Sequence, residues 1–274
     1  MRQQSLPYAQ GATNPNAPNQ LARTGRSFSA SVGLVLSLVL VLLAWKGLIL
    51  LRGYPTFILP APELVAQRLI DELASGTLRF HAGVTMIESL GGFGLALSVS
   101  LALGYLLAHA PRLERVLAPQ LAATQAVPVV AIAPLIILWV GADIGSKILV
   151  AALVTFFPIL SSTVVALRGV PRELLEMAKI SGANRRQVFW HVELPLALPG
   201  IFGGVKAGLA LATTGAVVGE FVGARDGLGA LINISRGLFD TPLMVAALIT
   251  LAVLTLTFYL TAVLLERALV RWEQ

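Results

Sequence analysis

The stretch Glu176-Met-Ala-Lys-Ile-Ser-Gly-Ala-Asn-Arg-Arg-Gln-Val-Phe-Trp-His-Val-Glu-Leu-Pro195 reads as ordered yet exposed to water, between segments built for lipid. Pro171 suits the first position of a helix, Arg172 to Ser181 are good helix formers, and Gly182 supplies a left-handed stop. Asn184 followed three residues later by Gln187 has the form of a capping box opening a second short helix. Pro195 is expected to close it, because the residue before a proline is pushed out of helical space. Arg185 and Arg186 fall in the first turn of that helix, where the dipole disfavours cations, so they answer to something outside it. Two explanations stand: the cytoplasmic excess of basic residues beside membrane spans, or docking of an acidic partner.

Working outward, 56% of the 274 residues are hydrophobic and 12% charged, far from the usual quarter charged of a soluble domain. The chain reads as an all-α integral membrane protein. A net charge of +6 fits loops facing the cytoplasm better than a nucleic-acid footprint, so no nucleic-acid partner is expected. With no cysteine, disulfides, thiolate metal sites and a cysteine nucleophile are excluded.

Residues 1–27 are polar and aperiodic and are expected to be a disordered tail, with residues 28–274 forming one membrane domain. Six spans are expected: Phe28–Leu51, Val84–Ala110, Val116–Val140, Ile148–Leu167, Leu196–Val222 and Pro242–Leu265. The exposed loop, about residues 169–195, joins the fourth to the fifth. Pro119, Pro128, Pro134 and Pro158 predict kinked, protein-facing third and fourth spans. Pro62 to Gly76 is an amphipathic helix expected to lie along the membrane surface. If both termini are cytoplasmic, that side holds twelve lysines and arginines and the other six, which places the loop inside.

In the fifth span Gly200, Gly204, Gly208, Ala212 and Ala216 make a small-residue stripe for close helix packing, drifting roughly 40° per step. Glu220 continues it near the outer mouth, as a pathway or gate acid, an interface group, or a partner of Arg225. Lys206 and Lys46 are expected to snorkel to the interface. His81, His109 and His191 lie in three separate segments without metal-ligand spacing, and read as interface residues. Gly141-Ala-Asp-Ile-Gly-Ser-Lys147 lacks the spacing of a phosphate loop, and no catalytic motif is present. No metal or cofactor is expected on this chain.

Glu176, Ala178, Gly182, Val192, Leu194 and Pro195 fit the loop pattern Glu-Ala-Ala, three residues, Gly, nine residues, Ile-x-Leu-Pro. That pattern resembles permease subunits of bacterial ABC importers, with Met177 in place of an alanine and Val192 of an isoleucine. Leu59-Pro-Ala-Pro62, Gly92-Phe93, Val127 to Trp139, Phe156-Phe-Pro-Ile159 and Gly227-Leu-Gly229 are similar to the nitrate, sulfonate, taurine and bicarbonate branch. Glu88 departs from it, standing where relatives often carry a basic residue.

The resemblance implies a homodimer of six-span subunits in the bacterial inner membrane. Its loops form coupling helices on two ATP-binding subunits, which carry ATP and Mg, and a periplasmic or lipoprotein solute-binding protein delivers substrate. Glu176, Met177, Ala178, Gly182, Arg185, Arg186, Leu194 and Pro195 would form the coupling loop. Gln125, Phe156, Ser161, Thr213 and Glu220 would line the pathway of alternating access. The substrate implied is a small sulfonate, taurine, nitrate or similar solute, although heterocyclic vitamin precursors also fall within reach. A secondary transporter driven by an ion gradient is the alternative, and would call for internal repeats and deeply placed acids.

Overall fold

The computed structural model describes residues 21–270, which are helical and turn structure with no strand among them. The first unit is the single helix α1, Leu21–Arg52. It covers the first expected span and begins at Leu21, seven residues inside the stretch expected to be tail; residues 1–20 lie outside the described residues. Leu36, Leu40, Leu43, Leu50 and Leu51 are exposed apolar side chains of this helix.

The second unit holds α2 (Pro62–Ser75), α3 (Thr77–His109), α4 (Pro111–Ala123), α5 (Val129–Val140), α6 (Ile144–Arg168), α7 (Arg172–Ile180), α8 (Arg185–Val188), α9 (Leu194–Phe221), α10 (Leu228–Gly237) and α11 (Thr241–Leu269). Among the described residues, four runs are long and apolar enough to cross a membrane: α3, α6, the continuous stretch from α8 through α9, and α11. The third expected span differs from a kinked helix. α4 with its terminal 3-10 turn meets α5 at 94°, so the pair is a broken span or a re-entrant loop. The break falls at Val127-Pro128, where the residue before proline is extended (φ −93°, ψ 119°). Pro119 and Pro134 stay inside their helices, as Pro158 does in α6.

α3, α6 and α9 form the core, with α6 in the middle. A Cβ on Gly92 of α3 would lie 2.5 Å from the Ala151 Cβ, and one on Gly215 of α9 would lie 2.6 Å from the Ala151 Cα. Backbones therefore touch on both sides of α6, the arrangement that small residues permit where lipid gives no hydrophobic drive for helices to associate. The α9 stripe behaves as expected at first, Gly200 against Ala166, Gly204 against Ser162 and Gly208 against Ile159. It then steps back one residue to Gly215 and Gly219, the latter against Lys147. That step cancels the drift of a strict four-residue repeat on a 3.6-residue helix.

α2 is two-sided. Val65 is buried and Leu69 packs on the cluster of Leu78, Leu228, Leu231 and Ala247, while Leu64 and Ile70 remain exposed. Arg68 donates to Asp240 at 2.8 Å, and Asp240 caps α11 through the Leu243 N–H. α10 was not anticipated; its buried Leu228, Leu231 and Ile232 bind it to α11 and α2. Lys206 reaches toward the last turns of α11: its Nζ meets both oxygens of Glu266, at 3.0 and 2.8 Å, joining α9 to α11. A half-buried cation in a span is tolerated when paired in this way.

Candidate functional site

The loop between α6 and α9 folds much as its grammar demands. α7 ends in a Schellman arrangement: the Ala183 N–H donates to the Ala178 carbonyl and the Gly182 N–H to that of Lys179, both at 3.0 Å. Gly182 takes φ +84°, a conformation a side chain would resist, with open space around it. Asn184 and Gln187 form the full capping box, each side chain meeting the other's backbone at 2.9 Å.

Pro195 corrects the expectation. It does not close the second helix, and Leu194 stays helical (φ −62°, ψ −48°). α8 runs through a π turn, Phe189–Glu193, into α9, with the Leu194 N–H donating to the Phe189 carbonyl five residues back. The wider turn shifts the preceding carbonyls off the proline ring, and the helix runs on through Pro195.

α7 is held at one side and open at the other. Leu175 packs on the cluster of Leu167, Val170, Ala197 and Ile201, to which Leu194 also belongs. Leu174, Met177 and Ile180, spaced by three, are exposed, Ile180 at 87%. Glu176 beside them is exposed and Ala178 half-buried. The sequence pattern pointed to Met177 but not to Leu174 and Ile180, whose signal was an apolar stripe on a short, otherwise polar helix. Arg185 and Arg186 are exposed, and among the described residues no ion pair engages them.

The expected pathway residues are not gathered at one place. Gln125 is exposed at the bend between α4 and α5, and Ser161 is exposed on α6. Phe156 is half-buried, its carbonyl accepting from the Ser100 hydroxyl at 2.8 Å, and Thr213 is buried inside the core. Glu220, 1% exposed, sits in a built polar site at the end of the bundle far from the loop, not in an ion pair with Arg225.

Around Glu220 the Thr85 hydroxyl donates to Oε1 at 2.6 Å, and the Gly229 N–H donates to Oε2. Thr85 in turn accepts the Leu228 N–H at 2.8 Å, and His81 Nδ1 accepts the Gly227 N–H at 3.0 Å. Cβ atoms on Gly227 and Gly229 would collide with the carboxylate, which explains Gly227-Leu-Gly229 as a cradle for it. Glu88, 2% exposed, lies beside Glu220 with its Oε2 unpartnered. It lines a cavity of about 560 Å³ with Asp143, Lys147 and Asp226. Lys147 is buried and donates to the Ala142 carbonyl. Thr85 and His81 were out of reach of sequence reasoning because their partners lie more than 130 residues away.

Among the described residues no group of histidines and acids could hold a metal ion. Of the histidines, His109 bridges Tyr105 and Glu193, its Nε2 lying 3.0 Å from a Glu193 oxygen.

Residues 94–272 match the profile of the family described as binding-protein-dependent transport system inner membrane component. The chain is 64% identical to the riboflavin transport system permease protein RibX of Chloroflexus aurantiacus, over 89% of its own length and 91% of that protein's. It is 32% identical to the formylaminopyrimidine transport permease protein ThiX of Halalkalibacterium halodurans, over 91% and 98%. It is 34% identical to the putative aliphatic sulfonates transport permease protein SsuC of Bacillus subtilis, over 88% and 87%. Among solved structures, an inward-facing MetNI methionine ABC transporter chain shares the fold at TM-score 0.62 and 21% identity, covering 72% of this chain and 98% of that one. The chain belongs to the binding-protein-dependent transport system inner membrane component family, as a non-enzymatic ABC transporter permease subunit.

Proposed function

We propose that the chain forms half of the membrane channel of an ABC importer that takes up a heterocyclic solute of the flavin or pyrimidine type. Two copies pair in the inner membrane, each bearing on its cytoplasmic loop one ATP-binding subunit, which supplies ATP and Mg, and a solute-binding protein feeds the far side. The carrying observation is the α7–α8 loop: a well-capped two-helix unit, anchored by Leu175 and Leu194, that offers Glu176, Met177 and Ile180 to a partner. An exposed apolar stripe on a three-turn helix costs solvation unless a groove receives it, and closure of that groove would turn α7 and, through the π turn, α9. Of the residues expected along the pathway of alternating access, Gln125, Phe156 and Ser161 would face it, while Thr213 and Glu220 are enclosed between helices and would act through the packing behind it.

The substrate class rests on the similarity to the riboflavin permease. The far cavity, lined by Glu88, Asp143 and Asp226 together with Lys147 and Arg225, offers acceptors to the N–H groups of a ring. The sulfonate reading has the SsuC similarity behind it. Reconstitution with an ATP-binding subunit and a binding protein decides between them: ATP-dependent uptake of riboflavin and not of taurine is expected. Taurine uptake alone would establish the sulfonate reading, and uptake that follows a proton or sodium gradient without any ATP-binding subunit would overturn the importer.

A further inference from the structure

Arg185 and Arg186 remain unexplained by the loop's own geometry, since both stand at the start of a helix whose dipole repels them. What lies around them is aromatic. Tyr105, near the end of the span α3, lines a depression of about 360 Å³ with Arg185, Arg186 and Phe189. Tyr105 and Arg185 also line an adjoining cavity of about 670 Å³ that contains Lys179. The ring of Tyr105 meets that of Phe189 edge-on at 5.0 Å, and Phe189 meets Trp190 at 5.3 Å, with Trp190 55% exposed.

Charge and depth agree. The one acid lining the larger cavity, Glu193, is taken by His109, and no carboxylate of the described residues pairs with Lys179, Arg185 or Arg186. The helix that begins at Arg185 continues without a break into a membrane span, so Trp190, five residues on, stands roughly 7 Å further along it. Cations followed one turn later by the exposed Trp190, with Tyr105 of α3 against Phe189 beside it, match the order of groups met on entering a bilayer, phosphate first and glycerol and upper chain next. The face that offers Met177 and Ile180 carries no such aromatic floor.

We propose that the two depressions beside Tyr105 bind an anionic phospholipid of the cytoplasmic leaflet. Its phosphate is held by Arg185, Arg186 and Lys179, and its glycerol and upper chains lie on Tyr105, Phe189 and Trp190. The site rests on the importer reading for its side of the membrane, and it would tie the coupling loop to the charge of the leaflet beneath it. An acidic surface of the ATP-binding subunit is the competing occupant, and the aromatic floor favours the lipid.

The test uses the full chain with Trp45, Trp139 and Trp272 changed to Phe, so that Trp190 alone reports, in phosphatidylcholine nanodiscs without any ATP-binding subunit. Brominated phosphatidylglycerol should quench Trp190 at a mole fraction at least fivefold lower than brominated phosphatidylcholine does, about fivefold being the contribution of one basic residue near the surface. Lys179→Gln with Arg185→Gln and Arg186→Gln should bring the ratio to about one, and Lys179→Arg with Arg185→Lys and Arg186→Lys should keep most of it, showing that loss of charge and not misfolding is read. Millimolar glycerol 1-phosphate should leave the ratio unchanged; its collapse would make this a soluble-phosphate site and overturn the lipid. No preference in the parent chain, or an unchanged preference in the Gln variant, overturns the proposal, as does weakened capture of the ATP-binding subunit by that variant with no lipid preference to lose. Failure of ATP-driven uptake with the lipid preference intact would instead sink the importer reading alone.

Discussion

At the scale of single residues, two glycines with positive φ separate two reasons for being glycine. Gly182 takes φ +84° in open space, and Gly227 takes φ +108° with the Glu220 carboxylate where its Cβ would be. Gly182→Ala therefore costs only the left-handed conformation, about 1–2 kcal/mol. Gly227→Ala must also expel a buried carboxylate that holds Thr85 and Gly229, stranding donors worth about 1–3 kcal/mol each. Thermal unfolding in detergent should show a modest shift for the first and a severe loss for the second; equal shifts would mean that Glu220 moves aside freely and that its cradle is not structural. Gly182 and the capping box of Asn184 and Gln187 could be read in advance because their partners lie within five residues. The Glu220 site could not, since Thr85 and His81 reach it across the fold.

At the scale of elements, α9 works as a ruler laid against α6. A methyl on Gly203 would meet nothing within 4 Å, whereas one on its neighbour Gly204 would sit 2.6 Å from the Ser162 Cβ and 3.3 Å from the Ile159 Cα. Gly203→Ala should be neutral or stabilising, because alanine is the better helix former, and Gly204→Ala should lose roughly 1–3 kcal/mol as α6 and α9 are forced apart. If unfolding midpoints of the two variants coincide, the close contact between the helices is not what holds them. The stripe itself was legible from spacing, while its one-residue step to Gly215 and Gly219 was not, because only the partner helix fixes which drift is tolerated. Prolines misled in both directions. Pro128 stands at the sharp break before α5, with Val127 extended, whereas Pro195 follows the π turn at Phe189–Glu193 and its helix runs on.

At the scale of the whole molecule, the two ends of the bundle have opposite characters, and this permits one further test. One end carries the α7 stripe and the basic, aromatic rim around Tyr105; the other carries the buried acids Glu88 and Glu220 and the exposed turn at Leu238 and Phe239. A loop that receives force and a mouth that receives solute must lie on opposite sides of the membrane if ATP binding is to move substrate across it. The chain has no cysteine, so single cysteines report without background. Met177→Cys (63% exposed in the parent) and Leu238→Cys (72%) are matched for accessibility. A membrane-impermeant maleimide should label the first only in inside-out vesicles and the second only in right-side-out ones, and the reverse would invert the topology. Adding the ATP-binding subunit to inside-out vesicles should then slow labelling at Met177→Cys while leaving Leu238→Cys unaffected in its own orientation. Met177→Cys labelled at the same rate with the subunit bound would place the docking surface elsewhere and leave the exposed stripe of α7 without its partner.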